Sequence, residues 1–323
     1  MGKTSASSAG SAGDAGAPHP PHPPHAPLRP PTRSRADPQR QATAALVRWQ
    51  DGAATTSDDE LVVEEPLELR LRLSGASDAD EATEPLAIIM RTPGADDELA
   101  AGFLYSEGLI ASASDLSGIT TGQDSDGLPS PNALDITPAP GSDLLMRARE
   151  GGVSRAFAVN ASCGVCGRNS IAAVCAAFPA LVPSDEEPLI TASALATLPD
   201  RLRAGQRVFA STGGLHAAGL FTADGELLAL REDVGRHNAV DRLVGRALLD
   251  GALPLDRHIL LVSGRLSFEI LQKVVAAGIP LVAAVSAPSS LAVDLARASG
   301  VTLVAFLRGA SMNIYTHPGR LKA

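Results

Sequence analysis

A chain of 323 residues holds one large domain or two ordinary ones, and its 45% hydrophobic content with only 3% aromatics predicts a core of Val, Leu, Ile and Ala. The formal charge of −9 excludes a surface built for bulk nucleic acid. No uninterrupted apolar run of about 18 residues offers a membrane span, and the N-terminus lacks the compact apolar segment of a secretory signal.

Residues 1–41 are rich in Ser, Ala, Gly and Pro and include the run His19-Pro-Pro-His22-Pro-Pro-His25. Such sequence cannot bury enough apolar surface to offset its ordering entropy, so a disordered arm is expected there. The fold is expected from Ala42 in two parts: a small α+β domain over residues 42–159 and an α/β domain over residues 160–323. Within residues 60–73, Leu67, Leu69, Leu71 and Leu73 alternate with Glu68, Arg70 and Arg72, the period of a half-buried strand. Residues 85–90 predict a second strand, closed by the turn Arg91-Thr-Pro-Gly94. Asp96 or Asp97 then caps a helix to about Ser106. Residues 117–141, full of Gly, Ser, Pro and Asp, read as a surface loop, and residues 153–159 return to a strand pattern.

The second part alternates differently. Residues 207–210 and 217–222 predict strands, and a turn at 223–226 leads into a strand over 227–230. A helix over 238–249 stops at Gly251. Strand 258–262, helix 267–277 and strand 281–285 follow. Ser289 or Ser290 caps a further helix, Gly300 ends it, and residues 301–306 form a strand. Continuous apolar strands separated by helices predict parallel pairing with helices covering the sheet. The loops starting at Ser263, Ser286 and Leu307 would then share the carboxyl edge, where such sheets bind ligands and helix N-termini offer N–H groups to anions.

The sharpest local feature is Cys163-Gly-Val-Cys166, flanked by Gly167 and Arg168. Gly164 and Gly167 permit tight turns, and Arg168 favours the thiolate. Spacing serves a zinc half-site, which needs two further ligands, and redox or sulfur chemistry equally well. Three cysteines are too few for a disulfide framework and fit a reducing cytoplasm. Cys175, among Ala and Val on a helical stretch, reads as packing. Thr212-Gly213-Gly214-Leu215-His216 follows an expected strand and offers either backbone N–H groups to a phosphate or an ordinary tight turn. Arg231-Glu-Asp-Val-Gly-Arg236-His237-Asn238 gathers polar donors ahead of a helix. That pattern suits a binding site, with a salt-bridged structural loop as the alternative. Asp241 and Arg242 read as helix-surface residues.

In order, these segments resemble the FdhD/NarQ family, accessory sulfurtransferases of formate dehydrogenase. The matching stretches are Met90-Arg-Thr-Pro-Gly94, Glu98-Leu-Ala-Ala-Gly-Phe103 with Ser106-Glu-Gly108, Cys163-Gly-Val-Cys-Gly167 and Thr212-Gly-Gly-Leu-His216. They continue through Glu232-Asp-Val-Gly-Arg-His-Asn238, Ser263-Gly-Arg265 and Tyr315-Thr-His-Pro318. The resemblance implies a cytidine-deaminase-like α/β second domain without that class's zinc site. It implies that a cysteine desulfurase gives persulfide sulfur to Cys163, with Cys166 as partner. The acceptor would be the molybdenum (or tungsten) bis(molybdopterin guanine dinucleotide) cofactor, bound as substrate before insertion into formate dehydrogenase, with no resident metal. A cytoplasmic homodimer is the implied state. The family's cofactor stretch falls on Phe306, Leu307, Arg308, Gly309, Ala310 and Ser311. Ser263, Arg265, Gly213, Gly214, His216, Arg236 and His237 are the further expected contacts. Many relatives carry a second basic residue late in that stretch, where this chain reads Ala310-Ser311-Met312. The competing reading is a zinc- or nucleotide-binding regulatory module with no transfer activity.

Overall fold

The computed structural model describes residues 40–73, 82–150, 170–181 and 189–322. Strands β1 (Gln41–Gln50) and β2 (Ala53–Val62) form an antiparallel hairpin. Asp51 and Gly52 close it with φ of 51° and 81°, the positive pair that a two-residue type I′ turn requires. Strands β3 (Glu65–Arg72) and β4 (Thr83–Arg91) lead to helix α1 (Asp96–Ser106). Strands β5 (Leu116–Gln123) and β6 (Pro129–Pro138) and helix α2 (Leu144–Glu150) complete a small unit around a four-stranded sheet of order β4-β3-β6-β5. Leu67, Leu69 and Leu71 are buried as their alternation predicts, but the expected strand over 60–73 is divided between β2 and β3. The expected loop over 117–141 is largely two strands. Its Gly and Ser content concealed Ala133, Leu134 and Ile136, which are buried where β6 pairs parallel with β3. The turn round Asp124 and residues 139–141 are irregular, the Asp124 carboxylate accepting from the N–H groups of Asp126 and Leu128. Ala95, in left-handed conformation, rather than an aspartate, stands at the N-cap of α1.

The larger unit runs through helix α3 (Ile171–Ala177), strand β7 (Ile190–Thr191) and helices α4 (Ala192–Gly205) and α5 (Arg207–Thr212). Strands β8 (His216–Phe221) and β9 (Leu227–Asp233), helix α6 (Arg236–Leu249), strand β10 (Ile259–Val262) and helix α7 (Phe268–Ala276) follow. Strand β11 (Leu281–Ala284), helix α8 (Ser290–Ser299) and strands β12 (Thr302–Arg308), β13 (Ser311–Thr316) and β14 (Leu321–Lys322) end the chain. The sheet order is β13-β12-β11-β10-β8-β9, with β10, β11 and β12 parallel and the flanking strands antiparallel. The sheet is therefore mixed rather than wholly parallel. Its two faces are read off the strand period: Leu260, Val262, Val282, Ala284, Leu303 and Ala305 share a core with α6, α7 and α8. Their neighbours Ile259, Leu261, Leu281, Ala283, Val304 and Leu307 pack with Leu195, Leu198 and Leu202 of α4. Residues 207–210, expected as a strand, belong to α5. The buried Glu232 carboxylate accepts from the N–H groups of Val208 and Phe209 at 3.2 and 2.9 Å, satisfying the free donors of that helix start. The N-terminal arm up to residue 39, the expected strand at 153–159 and the C-x-x-C segment lie outside the described residues.

The two units meet where α1 crosses α6, glycine against backbone. A Cβ on Gly102 would stand 1.9 Å from the Asp241 carbonyl oxygen, and one on Gly245 1.8 Å from that of Glu98. Around the crossing, Glu98 accepts from Arg231 at 2.5 and 2.7 Å, and Lys273 Nζ donates to Asp241 at 2.7 Å.

Candidate functional site

Two polar groups grow from the segment 231–242, and only one faces outward. Asp233 and Arg242 are fully buried, at 0% and 1% exposure. Arg242 donates to Asp233 Oδ2 at 3.0 Å, to the carbonyls of Thr92 and Ala95 at 2.7 Å, and to that of Gly94. Asn238 donates to Met90 O and to Asp233 Oδ1, each at 2.8 Å. Arg91 ties the same turn to Asp96 and Asn132. This network satisfies the backbone of the turn after β4 and fixes it to α6. Arg242 and Asp241 are thus interior residues, contrary to the surface reading, because α6 lies between α1, α7 and the sheet. The salt-bridged loop reading fits Glu232, Asp233 and Asn238.

Arg236 and His237, at the start of α6, turn the other way. His216 opens β8 beside the end of β10, where Ser263 Oγ accepts from the Ala217 N–H at 2.9 Å and the Ser263 N–H donates to Ala217 O at 2.9 Å. A Cβ on Gly264 would touch His216 Nδ1 at 3.4 Å and Arg236 Cβ at 3.6 Å, so both residues converge on this glycine. Arg236 Nε is buried and has no hydrogen-bond partner among the described residues. Burial, then the charges of Arg236 and Arg265, lower the His216 pKa below its ordinary 6.5, against the opposing pull of Asp233. His216 is therefore neutral at pH 7 and poised to gain a proton beside an anion. His237 Nε2 meets Ser267 Oγ at 3.1 Å and lies 3.7 Å from Glu269. Burial alone would raise the Glu269 pKa. Hydrogen bonds from Ser267 and its own backbone N–H, with the charges of His237 and Arg236, outweigh it and lower the value.

The edge continues across the parallel strands. The Leu266 N–H donates to Ala287 O and the Ser289 N–H to Leu266 O, joining the loops after β10 and β11. The Phe306 N–H donates to Ser286 O at 3.1 Å and Arg308 Nε to Val285 O at 3.3 Å, joining the end of β12 to the loop after β11. Phe306 is exposed and holds a φ of 52°, an uncommon conformation for an aromatic residue, and Gly309 follows at 54°. From β8 to β12 are three strand spacings, about 14 Å. One end of this edge carries His216, Arg236 and Arg265, the other Phe306 and Arg308. Among the described residues, none of the three arginines is in an ion pair.

The sequence model of one family, described as FdhD/NarQ, matches residues 62–322. The chain belongs to the FdhD/NarQ family. Curated relatives of this family member are called sulfur carrier protein FdhD. The one from Streptomyces avermitilis is 54% identical over 278 residues, 85% of this chain and 94% of that protein. Those of Mycobacterium tuberculosis and Saccharolobus solfataricus are 47% and 43% identical, over 82% and 85% of this chain and 93% and 96% of theirs. A crystal structure from Desulfotalea psychrophila, provisionally described as a formate dehydrogenase accessory protein, shares the fold. Its TM-score is 0.62 at 23% identity, covering 87% of this chain and 99% of that one. No helix among the described residues is long and apolar enough to cross a membrane.

Set against this FdhD/NarQ edge, the expected site residues divide. His216, Ser263, Arg265, Arg236 and His237 gather at one end; Phe306, Arg308, Gly309, Ala310 and Ser311 form the other, all five exposed. Leu307 is fully buried in the core under α4, which leaves only its backbone for a ligand. Gly213 and Gly214 follow a helix, not a strand. Gly213 ends α5 with its N–H bonded to Phe209 O, and the Gly214 N–H donates to Thr212 Oγ1, so neither N–H is free for a phosphate. Cys163 and Cys166 lie outside the described residues. Sequence reasoning passed over Ser267 and Glu269; their place at a helix start just after Ser263-Gly-Arg265 was the available signal.

Proposed function

We propose that this chain is a sulfur carrier that matures formate dehydrogenase. Cys163 takes persulfide sulfur from a cysteine desulfurase, with Cys166 as partner. The Cys166 thiolate then attacks the inner sulfur on Cys163, leaving a Cys163–Cys166 disulfide and releasing the outer sulfur as sulfide. The sulfide passes to the molybdenum bis(molybdopterin guanine dinucleotide) cofactor, bound as substrate, in a cytoplasmic homodimer. The observation that carries the reading is the β8–β12 edge: arginines at both ends, about 14 Å apart and in no ion pair among the described residues, suit an extended diphosphate ligand. The name shared by the curated relatives supports the sulfur chemistry.

In this reading the Cys163 thiolate attacks the outer sulfur of the donor's persulfide. A new S–S bond forms and the donor cysteine leaves as thiolate. Arg236, Arg265 and the α6 N-terminus hold one phosphate-bearing end of the substrate, and Arg308 steadies the other. His216, neutral between two arginines, takes up a proton when the anion arrives. Hydrogen exchange with and without GDP tests the site. Protection is expected in the loops at Ser263, Ser286 and Arg308, weakening as salt rises. Protection confined to residues 42–150 would put the ligand on the other unit and end this reading.

A further inference from the structure

Among the described residues, the hairpin β1–β2 touches the body of the protein near its base. Arg40 donates to Glu232 O at 2.5 Å, Gln41 bonds Ser211, and Val62 packs where a Cβ on Gly214 would collide at 2.8 Å. Beyond that base, nine residues of each strand project about 30 Å, at roughly 3.4 Å per residue. Val47 and Trp49, near the tip, are 68% and 72% exposed. An isolated two-stranded hairpin is marginal in water and needs a further strand or surface to hold it.

The ladder shows which edge is open. The closing pair Gln50–Ala53 of a two-residue type I′ hairpin is a hydrogen-bonded pair, and at the base the Val63 N–H donates to Arg40 O. Even-numbered residues of β1 therefore bond to β2, while Thr43, Ala45, Val47 and Trp49 turn their N–H and C=O groups outward. The outward groups of β2 belong to Ala54, Thr56, Asp58, Glu60 and Val62. Sheet edges are protected from association by charge, and here the charges are unequally shared. β2 carries Asp58, Asp59 and Glu60; β1 carries Arg48 alone.

We propose that the outer edge of β1 is the docking surface for a second copy of this chain, the two β1 strands pairing antiparallel across a twofold axis into a four-stranded sheet. The inference rests on the homodimer reading and locates its interface. A twofold sets a strand against its own copy in antiparallel sense, so the edge must complement itself. β1 does: centred on Ala45, the axis sets Thr43 opposite Val47 and Gln41 opposite Trp49, and no like charges meet. The β2 edge does not, because acidic residues would face acidic residues.

Proline tests this, because it removes one N–H and is tolerated on an edge strand when that N–H faces solvent. Ala45→Pro should convert the full-length dimer to monomer at micromolar concentration, a loss of at least about tenfold in association constant, roughly one step of 1.4 kcal/mol. Thr56→Pro, the matching change on the β2 edge, should leave the dimer intact. Light scattering after gel filtration reads the mass and circular dichroism checks the fold of both variants. Trp49, the sole tryptophan, should shift its emission to the red in Ala45→Pro and not in Thr56→Pro. A dimer indifferent to Ala45→Pro, or equally broken by both changes, overturns the interface alone. A monomeric wild type overturns the homodimer reading with it, and sulfur loading of Cys163 is measured independently of either.

Discussion

Arg236 buries its Nε with no hydrogen-bond partner among the described residues, beside a histidine that burial and two arginines keep neutral. A buried donor without a partner costs free energy that a bound oxyanion would return. Arg236→Gln should weaken GDP binding by about ten- to a hundredfold, the 1.5–3 kcal/mol of a hydrogen bond to a charged group, in calorimetric titration. An unchanged affinity would show Arg236 to be structural. His216 adds a pH dependence. The free residue has its pKa below 6.5, and an anion raises it, so the complex binds more protons than the free protein. Affinity should therefore rise as pH falls from about 8 through the bound-state pKa and level off below the free-state value. His216→Gln, compared at each pH to cancel the nucleotide's own titration, should lack that rise. Arg308→Ala should still accept sulfur on Cys163 but fail to activate the dehydrogenase; activation at the wild-type level would make it a surface residue. At this scale the residues that share the edge were legible, because Ser263-Gly-Arg265 after a strand and Gly235-Arg236 before a helix carry a positional signal. Asp233 and Arg242 were not, since a buried ion network and a charged helix face look alike until the helix has neighbours.

Helices α1 and α6 cross so closely that each glycine at the contact faces the other helix's backbone. Gly245→Ala should force the helices apart and destabilise the protein by about 3 kcal/mol, the upper end of ordinary overpacking or beyond it. Thermal unfolding reads this, and a loss under about 1 kcal/mol would mean the crossing relaxes freely. Lys273→Met leaves Asp241 buried without its cation. Burial already holds that carboxyl's pKa above its ordinary value in spite of Lys273, so an unpaired charge should cost about 3–5 kcal/mol. Elements with strong periods were readable: the α6, α7 and α8 helices and the apolar strands fall within a few residues of expectation. Elements set by distant partners were not. β5 and β6 carry loop-like composition and are strands because β3 offers a backbone to pair with; α5 is a helix because Glu232 caps it from another strand.

On the scale of the whole molecule, buried networks hold the small unit to the large one, while the β8–β12 edge keeps its arginines unpaired among the described residues. Much of the resemblance read from the sequence rests on the fixed part: Glu98 and Gly102, Arg91 and Thr92, Asp233 and Asn238 all lie at the junction. The cationic edge is where the proposed ligand would bind, and the proposed sulfur chemistry rests on Cys163, beyond the described residues. The central claim is tested most directly by intact mass spectrometry after incubation with a cysteine desulfurase and L-cysteine. The wild-type chain should gain one reducible sulfur and Cys163→Ala none, with Cys175→Ala loading as the wild type does. An unloaded wild type, or the same added sulfur on a folded Cys163→Ala variant, would contradict it.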